Sequence, residues 1–154
     1  MSTTAETSHT DSRVSIRQAT PADADAIFGL LKQLGESFQP DRASFDEAFM
    51  DVVREEDDRI LYVADRDGTV VGYALTIVVR PLYTNGLSAE LQELVVDEGA
   101  RGTGIGSQLV TMVEAECRLR GARQLTVASS RGAAFYERLD YRSTADFLKK
   151  VLSD

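Results

Sequence analysis

A chain of 154 residues, 43% of them hydrophobic, has the length and apolar content of one ordinary domain. Its 25 acidic against 17 basic residues, a formal net charge of -8, oppose nonspecific attachment to nucleic acid or an anionic membrane and suit a cationic small molecule. A single cysteine, Cys117, excludes an intramolecular disulfide and the spacings of thiolate metal sites, and no apolar run or signal-peptide pattern is present. The expectation is a soluble, cytoplasmic protein without a metal.

Residues 1–12, "MSTTAETSHTDS", are polar and aperiodic and read as a flexible tail ahead of one domain at 13–154. The only histidine, His9, falls in that tail, which argues against Ser/His/Asp and Cys/His catalysis. "VSIRQAT" (14–20) alternates as a strand. Thr20 then offers a cap, Pro21 suits the first helical position, Asp23 completes a capping pattern, and Ile27, Leu30, Leu31 and Leu34 form one stripe that Gly35 stops. "SFDEAFMDVVREE" predicts a second helix with Phe45, Phe49, Val52 and Val53 on one face, as core or pocket wall.

"RILYVAD" and "TVVGYALTIVV" are β-branched runs joined by Asp67-Gly68, a hairpin signal, and should pair antiparallel. Pro81 and Asn85-Gly86 turn the chain into the strand "LSAELQELVVDE". Residues 104–120 read as a helix with Ile105, Leu109, Met112 and Val113 inward and the pairs Glu114–Arg118 and Glu116–Arg120 on its wet side. Gly121 ends it. "RQLTVAS" is a strand, "GAAFYERL" a short helix, and "YRSTADFLKKVL" offers one or two closing strands. This order implies a mixed sheet, antiparallel at first, with a parallel strand–helix–strand crossover from about residue 88 to 128 and helices on both faces.

"ARGTGIGSQLV" (100–110) joins a strand to a helix through Gly102, Gly104 and Gly106. Such a junction points several backbone N–H groups at one spot at the positive end of a helix, which is an anion site, usually for phosphate. Gly106 is followed by Ser107-Gln108 rather than Lys-Ser/Thr, which disfavours a P-loop, and the spacing G-x-G-x-G misses the dinucleotide fingerprint.

With that loop the chain resembles the GNAT superfamily of acetyl-CoA-dependent N-acetyltransferases. Arg101-Gly102-Thr103-Gly104-Ile105-Gly106 matches the family's Arg/Gln-x-x-Gly-x-Gly/Ala motif, "LQELVV" precedes it, and "AAFYERLDY" is similar to the family's helix after the fifth strand. The likeness runs from about Val14 to Leu152. The stretch "AELQELVVDEGARGTGIGSQLV" is also similar to that of small-molecule members, aminoalkylphosphonate acetyltransferases among them.

The resemblance implies an α/β GNAT-like fold with a mixed, mostly antiparallel sheet of about six to seven strands. It also implies transfer of acetyl from acetyl-CoA to an amine. In it Leu94, Val95 and Val96 lie along the pantetheine arm, with a backbone N–H at Val95 polarising the thioester carbonyl. Arg101, Gly102, Thr103, Gly104, Ile105, Gly106 and Ser107 hold the pyrophosphate, and Phe135 and Ser129 complete the cofactor site. Ser129 stands where the family often has asparagine, and Asp140 replaces the glycine common after the last helix, where Asp tolerates a left-handed backbone at some cost.

A primary amine is mostly protonated at neutral pH, so a base must act, and Glu93 and Glu90 are the carboxylates on the expected strand. Their odd separation puts them on opposite faces unless a bulge intervenes; Glu93 is favoured. Tyr136 is the candidate acid for the leaving thiolate. The acceptor pocket implied by the family falls at residues 38–49 and 80–87. Phe38, Phe45, Phe49 and Tyr83 suit an amine with an apolar body, and Arg42 and Arg80 an anionic group. Three readings stay open: a small-molecule amine N-acetyltransferase, which is preferred, a peptide or protein N-acetyltransferase, and a non-catalytic acyl-CoA-binding module. A homodimer is compatible with each.

Overall fold

The computed structural model describes residues 13–35, 38–54, 57–129 and 132–153, and the tail at 1–12 lies outside them. Nine helices and strands follow in chain order among the described residues. They are β1 (Val14–Gln18), α1 (Ala24–Leu31), α2 (Arg42–Val53), β2 (Arg59–Arg66), β3 (Thr69–Val79), β4 (Leu87–Val96), α3 (Ile105–Leu119), β5 (Ala122–Val127) and α4 (Ala133–Glu137). The strands form one sheet in sequence order, antiparallel from β1 to β4 and parallel between β4 and β5.

Local chemistry sets the joints. At the start of α1 the Asp23 carboxylate accepts from the Thr20 amide at 2.8 Å and from both terminal nitrogens of Arg17 at 2.8 and 2.9 Å, tying a 3-10 turn (Pro21–Asp23) to β1. Asp41 caps α2 by accepting from the Ser44 amide. Between β2 and β3, Asp67 and Gly68 both take positive φ, 51° and 89°, the backbone a two-residue hairpin needs.

Each sheet face has its own core. On one, Ile27 and Leu30 of α1 and Phe49 of α2 pack on Leu61, Val63, Tyr73 and Val95. On the other, Ile105, Leu109, Val110, Val113 and Cys117 of α3 pack on Ile60, Ala64, Ala74, Val78, Ala89 and Leu91, with Phe135, Tyr136 and Tyr141 closing over them. The buried stripe of α3 thus includes Val110, and Met112, expected inward, is 40% exposed. Glu114, expected to pair with Arg118 on the wet side, instead accepts from the Tyr141 hydroxyl at 2.8 Å. The Glu116–Arg120 pair forms as expected, at 2.9 Å.

The sheet has five strands among the described residues, fewer than the six to seven expected. The segment after Tyr141 forms no strand, and its Phe147, Leu148, Val151 and Leu152 face solvent. Its apolar residues come as two adjacent pairs rather than in alternation, a pattern that gives a half-buried strand no single face to bury.

Candidate active site

β4 is the strand around which the candidate residues gather. Its pairing with β5 runs only from Leu87 to Leu91, against Ala122 to Val127. From Gln92 to Val96 it has no neighbour on that side among the described residues, so the two parallel strands splay into an opening. Asp97 donates to the Val71 carbonyl at 2.8 Å, and the alternation of an antiparallel ladder then turns the amides of Val95 and Glu93 toward β3 and those of Leu94 and Val96 toward the opening. The free amides facing the opening are therefore one residue to either side of the expected Val95.

The two carboxylates are brought to one face. Leu75 pairs with Glu93 while Thr76 pairs with Leu91, which leaves Gln92 as the extra residue of a β-bulge. Since Ile77 pairs with Glu90, both glutamates oppose residues two apart on β3 and share the α1–α2 side of the sheet. Glu93 accepts from the Tyr73 hydroxyl at 2.8 Å, and Glu90 from Gln92 Nε2 at 3.0 Å.

At the end of β4 the chain passes through a 3-10 turn (Glu98–Ala100) into the glycine loop. Gly102 and Gly104 have φ of 79° and 85°, a left-handed backbone that other residues adopt at a cost, and the space where their Cβ atoms would stand is open. The first helical bond of α3 runs from Gln108 to the Gly104 carbonyl, and the amides of residues 102–107 donate to no group among the described residues. This is a cradle of unengaged donors at a helix N-terminus, fit for a pyrophosphate. Thr103 turns its hydroxyl back onto the Ala100 carbonyl, and Arg101 Nε donates to the Val96 carbonyl at 3.1 Å.

Gly106 serves a different need. A Cβ there would stand 3.3 Å from the Phe135 ring and 3.8 Å from Val96 Cγ2, so its absence lets α4 close on the start of α3. Phe135 meets Tyr136 edge to face at 4.9 Å, and Tyr136 meets Tyr141 at 5.6 Å. Tyr141 is committed to Glu114, whereas the Tyr136 hydroxyl has no partner among the described residues. Burial pushes the Tyr136 phenol above its ordinary value, so it keeps its proton at neutral pH. Ser129 Oγ accepts from the Gly132 amide at 2.9 Å and so shapes the approach to α4.

The matches to known proteins give the family and the fold. Residues 57–143 match the acetyltransferase (GNAT) domain. Aminoalkylphosphonate N-acetyltransferase of Salmonella typhimurium (strain LT2) is 33% identical over 142 residues, covering 89% of this chain and 90% of that protein. The chain belongs to the GNAT acetyltransferase family.

Two solved structures share the GNAT fold. A transcriptional regulator from Bacillus halodurans C-125 superposes with a TM-score of 0.81 at 25% identity, over 91% of this chain and 100% of the other. Glucosamine-6-phosphate N-acetyltransferase from Arabidopsis thaliana gives 0.81 at 20% identity, over 92% and 99%. This GNAT protein is thus an acyltransferase, and its family uses acetyl-CoA as acetyl donor. Among the described residues no helix is long and apolar enough to cross a membrane, and no cluster of His, Cys, Asp or Glu could hold a metal ion.

Of the expected acceptor residues, Phe45 stacks on Phe49 at 5.3 Å, with Phe49 buried in the core, while Phe38 and Tyr83 stand in solvent. Arg42 is spent on Asp25 and Asp46, and Arg80 is exposed. Two residues near the site were not anticipated. Tyr73 lies within an apolar run, and only the register reveals its reach to Glu93. Gln33 binds Asp97 through Nε2 at 3.1 Å and receives the Glu98 amide on Oε1 at 3.2 Å, fixing α1 to the entry of the glycine loop.

Proposed function

We propose that the chain moves the acetyl group of acetyl-CoA directly to the primary amine of a small molecule, and that short aminoalkylphosphonates are the first acceptors to try. The observation that carries this reading is the bulge at Gln92, which sets Glu93 and Glu90 together beside the unpaired half of β4. The 33% identity to an aminoalkylphosphonate N-acetyltransferase supports the acceptor class.

Bound acetyl-CoA supplies an activated acetyl thioester. Its pyrophosphate fits the amides of residues 102–107, with Arg101 adding positive charge, and its pantetheine fits the open edge of Leu94, Val95 and Val96. Glu93 takes a proton from the acceptor ammonium, directly or through water, and Glu90 helps to hold that cation. The amides of Leu94 and Val96 face the charge that grows on the carbonyl oxygen, fixed dipoles that need no rearrangement as the reaction proceeds. Tyr136, on the α3 side of the sheet, gives its proton to the departing sulfur, and the opening between β4 and β5 connects the two sides. Phe135 and Ser129 steady that end of the site.

Calorimetric titration with acetyl-CoA tests the donor, run on the wild type and on Gly104→Asp, whose carboxylate would meet the pyrophosphate. Binding lost in a variant that still melts cooperatively supports the site. An acceptor panel of aminoalkylphosphonates, chain-matched plain amines and short peptides follows. Acetylation of peptides alone would overturn the small-molecule reading, and binding without product on any acceptor would overturn transfer.

A further inference from the structure

Tyr73 is 1% exposed, and its ring is part of the core between the sheet and α1. Phenylalanine would fill nearly the same space without a hydroxyl that must find a partner in the interior. Here the partner is Glu93 Oε1, at 2.8 Å, two residues along β4 from the residue paired with Tyr73. We propose that Tyr73 is a positioning residue: it holds one oxygen of Glu93 and leaves the other turned to the acceptor amine. The proposal rests on Glu93 acting as the base.

The physical case is one of orientation. A glutamate on a strand has several rotamers, and a base that must reach one proton loses rate with each one that points elsewhere. A charge-assisted bond from a phenol locked in the core removes that freedom, because the donor itself cannot move. Burial and the neighbouring carboxylate push the Tyr73 phenol far up, so it remains a donor throughout the working range. Gln92, itself exposed on the bulge, donates to Glu90 Oε2 at 3.0 Å. Among the described residues each carboxylate thereby accepts a hydrogen bond at one oxygen and none at the other, an arrangement that suits an ammonium with several N–H donors.

The test is a double-mutant cycle of Tyr73→Phe and Glu93→Gln, with kcat, acceptor KM and calorimetric acetyl-CoA affinity measured for all four proteins. Tyr73→Phe should lower kcat by about tenfold to a hundredfold with acetyl-CoA affinity unchanged, and should have no further effect on kcat once Glu93 is Gln. A packing role would instead lower kcat by the same factor in both backgrounds, and that result, like wild-type kcat in Tyr73→Phe, would overturn the proposal while leaving Glu93 as base. Full turnover in Glu93→Gln, or no acetyl-CoA binding by the wild type, would overturn the functional reading and the role of Tyr73 with it.

Discussion

Tyr136 and Tyr141 touch edge to face at 5.6 Å, yet of the two only Tyr136 has a hydroxyl without a partner among the described residues. Tyr136→Phe should therefore lower kcat by about a hundredfold with little change in acetyl-CoA affinity, while Tyr141→Phe should cost stability through Glu114 and spare the chemistry; steady-state kinetics with thermal melts separates them. Because burial raises the Tyr136 phenol, the acid form persists through neutral pH, and any alkaline fall in kcat that reports this group should come at higher pH than for an ordinary tyrosine. At Asp140 the backbone has φ of 69°, as the replaced family glycine suggested. Asp140→Gly should stabilise by about 0.5–1 kcal/mol, read as a melting temperature raised by roughly 1–4 °C. Tyr136, Phe135 and the glutamates stand out in the sequence as candidates because their residue types match a known chemistry at a known spacing. Tyr73 and Gln33 were not, because each acts through a partner 20 or 64 residues away, which only pairing reveals.

Among the elements, the loop before α3 combines two demands that one glycine pattern conceals. Gly102 and Gly104 answer to backbone handedness, and Gly106 to the closeness of Phe135. Gly102→Ala should thus weaken acetyl-CoA binding through strain, without a steric clash. Gly106→Val should instead force α3 and α4 apart and lower both affinity and melting temperature, a contrast that calorimetry and thermal melts would show. The helix itself was legible from its apolar period, but its phase was not: Met112 and Val110 lie two residues apart, and only contact with β2, β3 and β4 decides which is buried. Leu109 is 0% exposed, and Leu109→Ala should cost about 2–5 kcal/mol in denaturant melts. The expectation of strand after Tyr141 rests on composition and on likeness to the family's last strand, and neither supplies a face to bury.

Over the whole molecule, hairpin signals and the single crossover made the antiparallel-then-parallel sheet readable, since both follow from turn chemistry and connection length. Long-range ionic ties were not readable. Arg17 joins Asp23, at the head of α1, to Asp65 on β2, and its guanidinium holds the buried Asp23 carboxyl below the ordinary range. Protons bind Asp23 more readily in the unfolded chain, so its stabilising contribution is complete above about pH 4 and is lost as pH falls through the depressed folded value. Urea midpoints should therefore fall on acidification in the wild type, and Asp23→Asn should flatten that fall while lowering stability near neutrality by about 1–3 kcal/mol. The bulge at Gln92 has a consequence of the same global kind. Either side of it, β4 is written in two different reading frames: inward and outward swap parity at one residue. Deleting Gln92 would leave Glu90, Leu91 and Glu93 against the β3 partners they already have, whereas flattening the bulge with Gln92 kept would turn Glu90 into the apolar layer beneath α3 and lift Leu91 out of it, so the sheet upstream holds the extra residue out of register and keeps the two glutamates in step.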